Sequence, residues 1–514
     1  MNDYNRNNIK YVGYNNLNIC TLPQDVLGRI MTFLFLKEIT HFDNAAMNMD
    51  HRVSFLAAIK DQRVYLGKVK ANFDSTIGYI LLRGLFVCDL GDLRDPIYFS
   101  DEVTQIPLLW AVVNVPEAVF TGNGDMKLLH MLTSGDEENV NIDTKDEKGR
   151  PALMWASMKG HVNAMKVLIS KGADINIKDN YGWTALMLAS MSGHINAMEL
   201  LISKGSDVNV KDNDDWTALM FASMKGHVNA IELLISKGSD INFKTKYGVT
   251  VLMWASMSGH VNAMEVLISK GADVNVKDND GWTALMFASK IGHVNAMDLL
   301  ISKGSDINAK DNDGRKALMI ASQKGHVNAM ELLISKGSDV HAKDNDGWTA
   351  LMLVSLNGHI NAMELLISEG SDVNVKDNID GWTALIRASQ KGHVDAMELL
   401  ISEGADINVN NNDGFTALMR ASTKGHIDAL ELLISKGADV NFKSDDGWTA
   451  LMFASENGHV DAMELLISKG ADVNSKSNHG WTALSYASTI KAKEFLISKG
   501  AKSEQIKYKS PTIE

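Results

Sequence analysis

Residues 278–289 read DNDGWTALMFAS and are followed by the pair Gly292-His293. The Gly-His pair returns every 33 residues, with a single step of 34, along most of the chain. Such a period over ten copies is typical of a stacked repeat protein, in which each unit contacts only its neighbours. The ten histidines of these pairs are His161, His194, His227, His260, His293, His326, His359, His393, His426 and His459.

Each unit carries its own start and stop signals. Gly281 follows an Asx residue and predicts a tight turn, because glycine tolerates positive φ and Asx side chains accept local backbone hydrogen bonds. Thr283 is predicted to cap a first helix that Gly292 ends in the left-handed conformation. Apolar residues at helical spacing predict a second helix over 295–303. The unit is therefore a turn followed by two short helices.

This unit resembles the ankyrin repeat, which combines a β-turn, a Thr-Pro-Leu-His helix start and a Gly-His pair between two helices. The resemblance spans roughly residues 106–500 and implies an all-α solenoid of about eleven to twelve repeats, including atypical end repeats. The Pro and His of the family pattern are Ala284 and Met286 here. We expect the methionine to fill the histidine's space as an adaptable apolar plug.

Composition and spacing divide the chain into seven predicted segments. Ten regular repeats are flanked by a divergent first repeat and a shortened last one, because terminal repeats are expected to be atypical. The segments are an Asn-rich disordered tail (1–20), a short helical segment (21–60), a connecting helical region (61–105), the divergent repeat with an insertion (106–148), the regular repeats (149–478), a capping repeat (479–501) and a tail (502–514).

The segment 21–60 resembles an F-box-like motif, with its Leu-Pro opening and following apolar residues. The resemblance implies docking onto a Skp-type linker protein of a cullin ubiquitin ligase, with the repeats selecting the substrate. The alternative is a small helical cap on the repeats of a non-enzymatic scaffold, an anchoring protein, or a microbial or viral effector. The residues that would contact the linker are Leu22, Pro23, Val26, Leu27, Ile30 and Leu34.

Charge and cysteine content restrict the partners and the compartment. The net charge of −13 disfavours nucleic acid and anionic membranes, which attract clustered Lys and Arg. Only Cys20 and Cys88 are present, which predicts a reducing compartment, the cytoplasm, without a disulfide framework. The most apolar stretch, 77–90, is too short to span a membrane. We expect a monomer.

The sequence indicates neither catalysis nor a cofactor. Metal ligands come in clusters a few residues apart, whereas the repeat histidines fall once per unit. Within residues 149–500 every glycine belongs to repeat punctuation, and the sequence shows no Gly-rich phosphate-binding loop after a strand. We therefore predict a binding protein that is not an enzyme and uses no metal.

Two positions of each unit are the candidate ligand contacts. The resemblance implies that the turn and the first helix line a concave recognition face for a protein ligand. The residue before Ala-Ser in the first helix varies most, and it changes from aromatic to arginine along the chain, which suggests a ligand with an apolar end and an acidic end. The predicted contacts are Trp254, Phe287, Arg387 and Arg420 at this position, with Trp282, Arg315, Trp348 and Trp382 after the turn.

Both positions have a structural alternative. A tryptophan repeated unchanged specifies little, so each ring could instead stack on the next turn and over a lysine stem such as that of Lys211, Lys277 or Lys376. Large apolar residues at the variable position could equally pack between repeats. Sequence alone leaves both alternatives open.

Overall fold

The computed structural model describes residues 142–502, and the chain divides into two compact units, residues up to 213 and residues from 214. The F-box-like segment with its six predicted linker contacts, the connecting region and the first 141 residues in general lie outside the described part. So does the tail from residue 503 onward.

Eleven pairs of short helices make up the described residues, two pairs in the first unit and nine in the second. Between 142 and 502 the only β pairing consists of two isolated bridges, Lys343 with Thr349 and Asn410 with Thr416. The predicted all-α repeat fold is confirmed. The first helices are Ala152–Lys159, Ala185–Ser192, Ala218–Met224, Val251–Met257, Ala284–Ile291, Ala317–Lys324, Ala350–Asn357, Ala384–Lys391, Ala417–Lys424, Ala450–Glu456 and Ala483–Tyr486. The second helices are Val162–Ser170, Ile195–Ser203, Val228–Ser236, Val261–Ser269, Val294–Ser302, Val327–Ser335, Ile360–Ser368, Val394–Ser402, Ile427–Ser435, Val460–Ser468 and Ile490–Ser498.

The predicted caps form as expected. The hydroxyl of Thr283 accepts a hydrogen bond from the backbone N–H of Met286 at 3.4 Å, and Gly292 ends the helix at φ 84°. In two repeats the methionine sulfur closes a reciprocal cap, since Sδ of Met187 and Met253 accepts the backbone N–H of the capping threonine. The second helix of the unit begins at Val294 and ends at Ser302, one residue earlier at each end than predicted.

Methionine also fills the core, as the sequence predicted. Met286 is 1% exposed and Met297, on the second helix of the same repeat, is fully buried. Alanines such as Ala288 are buried beside them and let neighbouring helices approach closely. Within the second unit, each first helix therefore packs against its own second helix and against the first helix of the next repeat.

The Gly-His pair joins consecutive repeats. The His293 ring packs against Gly259 of the preceding repeat, where an added Cβ would lie 2.7 Å from the ring. Its Nε2 forms a 3.2 Å hydrogen bond with the carbonyl of Met257. His293 therefore has a structural role at the junction between two repeats.

We call the turn that precedes each first helix a finger, and successive fingers are linked by hydrogen bonds. Asn312 donates its backbone N–H to the carbonyl of Asp280 at 3.0 Å and its side-chain amide to the carbonyl of Asn279 at 2.9 Å. Asn275, which precedes the finger 278–281 in sequence, donates its side-chain amide to the carbonyl of Gly304 and accepts the backbone N–H of Asp306. Side chain and backbone thus connect each finger to the next.

One junction of the second unit lacks most of these links. The Asn308 amide donates to no acceptor within residues 142–502, and its oxygen accepts a hydrogen bond from Lys316 Nζ instead of from the next finger. Over the same described residues, Lys310 Nζ and the His359 ring also form no hydrogen bond to the neighbouring repeat. The repeats on either side of this junction, 306–338 and 339–371, therefore hold together mainly through their fingertips and their packed helices.

Two irregularities match the sequence. The insertion at Ile379 lengthens a finger, so that Asp377 N–H bonds to Trp382 O one residue farther along than in the other fingers. Ile379 itself is 57% exposed. The last pair begins with a helix of only 4 residues and leaves Ile490 76% exposed.

Candidate binding face

Two side chains from every repeat form a column across the second unit. One is the residue after the finger glycine, and the other is the variable residue of the first helix. Four finger rings lie between the variable residue of their own repeat and that of the next, namely those of Trp216, Trp382, Phe415 and Trp448. We call this arrangement the aromatic-arginine column.

The column is continuous over its C-terminal half. The Arg387 guanidinium carbon lies 4.0 Å from the Trp348 ring centroid and 4.2 Å from that of Trp382. Arg420 then lies 4.3 Å from the Trp382 centroid and 4.4 Å from that of Phe415. Rings continue the column in the order Phe415, Phe453, Trp448, Tyr486 and Trp481, with successive centroids 3.9 to 5.4 Å apart.

The N-terminal half of the second unit is aromatic. Trp216 lies 5.0 Å from Phe221 and 4.2 Å from Trp254, measured between ring centroids. Trp282 contacts Phe287 at 5.3 Å. The variable position is therefore aromatic at Trp254 and Phe287, cationic at Arg387 and Arg420, and aromatic again at Phe453. That the arginines meet an acidic part of a ligand stays a prediction.

Burial separates the variable residues into two groups. Leu188, Phe221, Ile320, Leu353 and Phe453 are buried, as the packing alternative expected. Trp254, Phe287, Arg387 and Arg420, the predicted ligand contacts, are all partly exposed. A partner could reach this second group, and whether one does so is a matter for experiment.

The finger tryptophans differ more than their sequence suggests. Trp282 and Trp348 are partly exposed, whereas Trp382 is only 6% exposed, since an arginine stacks on it from its own repeat and another from the next. A lysine does approach the Trp282 ring, with Nζ of Lys290 5.3 Å from its centroid. Nζ of Lys277 instead donates to the carbonyl of Lys310 in the next finger. Trp382 is therefore a mostly buried ring that supports the two arginines.

An acidic residue at the base of the finger neutralises two of the arginines. Asp377 accepts a hydrogen bond from Arg387 Nη2 at 2.7 Å, and the carboxylate side chain is completely buried. Arg315 pairs with Asp311 at 2.8 Å and with Asp313 at 2.9 Å. Two of the three predicted contact arginines, Arg315 and Arg387, therefore already have carboxylate partners within the chain.

Arg420 differs from these two arginines because its repeat has Asn411 where the preceding repeat has Asp377. No carboxylate oxygen of residues 142–502 lies within 4.0 Å of the Arg420 guanidinium. Burial lowers the pKa of Arg420, while the charges of Asp413 and Asp380 raise it. Arg420 is thus a partly buried cation without a direct counter-ion. Sequence reasoning missed this difference, although the sequence carries a signal for it. The repeat combines an arginine at the variable position with an amide at the base of the finger.

Hydrogen-bond donors outnumber acceptors around Arg420. Four nitrogens here are buried and form no hydrogen bond within the described residues: Trp382 Nε1, Arg387 Nε, Asn411 Nδ2 and Arg420 Nε. A buried donor without an acceptor costs about 1–3 kcal/mol. This part of the column therefore contains buried donors that no oxygen of residues 142–502 satisfies.

Asp278 and Asp344 occupy the same finger-base position without an arginine partner. Burial raises the pKa of both carboxyl groups, and the backbone hydrogen bonds from Trp282 and Trp348, respectively, oppose this increase. Each carboxylate holds its finger by accepting two backbone N–H groups, which for Asp344 belong to Asp346 and Trp348. Their role is structural.

The family model described as Ankyrin repeats (3 copies) matches residues 117–212, 204–278, 275–344, 332–411, 351–444 and 418–506. These matches together cover well over half of the chain. The chain belongs to the ankyrin-repeat family. No curated protein matches the chain.

Ankyrin-repeat proteins are generally binding modules without catalytic activity, and the face described above contains no nucleophile activated by a neighbouring base. Residues 142–502 contain no group of three or more His, Cys, Asp or Glu side chains placed to hold a metal ion. Over the same range, no helix has the length and apolar character needed to cross a membrane.

Proposed function

We propose that the ankyrin array binds a protein ligand through the aromatic-arginine column. The observation that carries this proposal is the partial exposure of Trp254, Phe287 and Arg420 within a column whose other variable residues are mostly buried. Aromatic and arginine side chains are the residues that most often dominate protein interfaces. Repeats with near-identical frameworks differ at this position, so it is the one best suited to specify a ligand.

A selection of random 12-residue peptides against the full chain tests the proposal. Enriched peptides should bind Phe287→Ala and Trp254→Ala variants at least about 30-fold more weakly, the loss typical of an interface hot spot. Glu331→Ala is the matched control, because Glu331 is exposed on a second helix away from the column. Equal binding to all three variants, or no enrichment at all, would contradict the proposal.

We further propose that residues 21–60 couple the array to a cullin ubiquitin ligase through a Skp-type linker in the cytoplasm. Support comes from the Leu22-Pro23 opening and the apolar spacing of Val26, Leu27, Ile30 and Leu34, which resemble an F-box. The array would then present its ligand for ubiquitin transfer. If the segment is only a cap, the protein is a scaffold or an effector.

Co-purification decides between these two roles. The full chain should recover a Skp-type linker and a cullin, and a variant with alanine at Leu22, Pro23 and Ile30 should lose both. The Phe287→Ala variant is the control, because it alters the column and leaves the N-terminal segment intact. Recovery that is absent, or unaffected by the triple substitution, would leave the scaffold role.

A further inference from the structure

Several irregularities of the array fall in one pair of neighbouring repeats. A one-residue insertion, Ile379, lengthens one finger, and the following positions depart from the common pattern by carrying Arg387, Asn411, Phe415 and Arg420. A repeat scaffold needs none of these changes for stability, because the regular units on either side fold with the common residues. Departures concentrated in this way are expected where a specific ligand is recognised.

Comparison of the two arginines isolates the feature that matters. Arg387 and Arg420 both stack on the Trp382 ring at almost equal distances. Only Arg387 has a carboxylate partner, Asp377, and the equivalent residue for Arg420 is Asn411, which is 3% exposed and cannot carry a charge. One positive charge is therefore left uncompensated by a single Asp-to-Asn difference between the two repeats.

The Arg420 guanidinium is oriented for a bidentate contact. The Nε atom of Arg420 is buried, whereas its two Nη atoms are not fully buried. Arg420 forms no hydrogen bond within residues 142–502. The two Nη groups consequently reach solvent while the rings of Trp382 and Phe415 restrict the plane of the fork. A fork with two free N–H groups matches a carboxylate, which accepts two parallel hydrogen bonds.

The surroundings limit which anion fits. Asp380 and Asp413 are exposed on the two adjacent fingertips and lie close enough to affect the pKa of Arg420. They would repel a dianionic phosphate more strongly than a single carboxylate, and they would attract basic residues beside it. Ile379, exposed on the same finger as Asp380, offers an apolar contact.

We propose that Arg420 binds one Asp or Glu side chain of the protein ligand, within a segment whose neighbouring residues are basic or apolar. The inference rests on the proposed protein-binding function and specifies the chemistry of its ligand. Arg315 and Arg387 contribute no such contact, since their charges are already paired with Asp311 and Asp377. Trp382 and Phe415 hold the guanidinium in place from below and above the fork.

The repeats themselves supply the test. Asn411→Asp should give Arg420 the same internal partner that Asp377 gives Arg387, so the cation would no longer be available to a ligand. Asn411→Ser is the matched control, because serine occupies this position in the next two repeats, where Ser444 and Ser477 accept the backbone N–H of the finger tryptophan. The control keeps the finger bonded and leaves Arg420 unpaired.

The experiment uses peptides enriched from a random 12-residue library on the full chain. Their affinity for wild type, Asn411→Asp, Asn411→Ser and Arg420→Gln is measured by fluorescence anisotropy, for each peptide with its acidic residue intact, changed to the amide, or replaced by phosphoserine. We expect one acidic position shared by the peptides. Asn411→Asp, Arg420→Gln and the amide peptide should each weaken binding by about 30-fold, the effect of losing an interface anchor. Combining the amide peptide with Asn411→Asp should add little further loss, because both remove the same contact.

Four results would overturn the inference. Peptides that bind the column without a required acidic residue would leave the protein-binding function standing and remove the carboxylate contact. Equal affinity for Asn411→Asp and Asn411→Ser would do the same. Phosphoserine peptides that bind more tightly than their carboxylate counterparts would replace the carboxylate by a phosphate. A library that yields no enriched peptide would overturn the proposed function and this inference together.

Discussion

Replacing Trp382 by alanine should destabilise the second unit far more than the same change at Trp481. Both residues follow a finger glycine and share the local sequence Gly-Trp-Thr-Ala-Leu. Trp382 is 6% exposed and lies against two arginines, whereas Trp481 is 56% exposed and contacts one ring, that of Tyr486. The pair therefore separates the effect of burial from that of residue type.

The magnitude follows from the area that each ring buries. A buried tryptophan removes about 150–250 Å² from water, which at about 25 cal/mol per Å² corresponds to about 4–6 kcal/mol. Measured losses for such truncations are about 3–5 kcal/mol, so we expect about 4 kcal/mol for Trp382→Ala. Trp481 buries less than half of its surface and lacks the arginine contacts, so its loss should be about 1–2 kcal/mol on the same scale.

Native-state hydrogen exchange read by mass spectrometry is the appropriate assay, because long repeat arrays need not unfold in one step. Opening of the helices Ala384–Lys391 and Ala417–Lys424 should become roughly 100-fold to 1,000-fold more frequent in Trp382→Ala, since 1.4 kcal/mol corresponds to a factor of ten. The change at Trp481 should raise opening of Ala450–Glu456 by about tenfold or less. The helix Ala185–Ser192 of the first unit is the internal control and should not change.

Two outcomes would refute this reasoning. If both substitutions accelerate exchange equally, the arginine stacking and the burial of Trp382 contribute nothing specific. If Trp382→Ala leaves exchange unchanged but abolishes binding of the selected peptides, the ring is a ligand contact, as the sequence first suggested, and not a floor beneath the arginines.

Three further predictions concern the framework. Lys316→Thr should stabilise the helix Ala317–Lys324 by about 1 kcal/mol, because Lys316 provides no side-chain cap and its Nζ donates a hydrogen bond to the side-chain oxygen of Asn308. Slower hydrogen exchange in that helix would confirm this. Thr349→Lys should produce the opposite change in the next repeat. Asp344→Asn should raise the melting temperature at pH 7, because burial raises the pKa of Asp344 and its charged form is therefore disfavoured in the folded state. Because the folded chain binds this proton more tightly, the stability linked to it is present at low pH and is lost as the pH rises through the folded pKa. The stability advantage of the variant should therefore vanish near roughly pH 3, where Asp344 is neutral. An advantage that does not change with pH would contradict the argument. Gly292→Ala and Gly304→Ala both impose the left-handed conformation on alanine, at φ 84° and 89°, which costs about 1–2 kcal/mol. Only Gly292→Ala also places a Cβ 2.8 Å from the His326 ring, so it should lower the melting temperature more. Equal losses would show that this contact is unimportant.

The sequence predicted the helices well because their signals are local. Thr283 and Gly292 bound the first helix where they were expected, and the repeated pattern made the same prediction for every unit. The second helix was displaced by one residue because no capping side chain marks its start, and the His293 side chain forms no cap bond there. Residues 142–502 thus follow the pattern closely wherever capping and turn residues are explicit.

The candidate face was only partly predictable, because its properties depend on side-chain contacts within each folded repeat and between neighbouring repeats. Arg315 and Arg387 were expected to be available for a ligand, but the structure pairs both with finger carboxylates. Trp382 was grouped with Trp282 and Trp348, although two arginines cover it. The link between Asn411 and the free charge of Arg420 becomes visible only when the two positions are placed side by side.

By itself, the sequence determined the fold, the period and the course of each repeat, because glycines at positive φ, capping threonines and Asx turns act within a few residues of where they stand. It also determined the column positions, since they recur in every unit. Tertiary structure alone decided which chemically equivalent residues are available to a partner. Trp382 is covered by Arg387 of its own repeat and by Arg420 of the next, whereas Trp481 is 56% exposed. Arg387 is paired with Asp377 of its own repeat, whereas the repeat of Arg420 carries Asn411 at that position. The physical reason is that burial and ion pairing depend on how side chains pack in the folded array, within a repeat as well as between repeats.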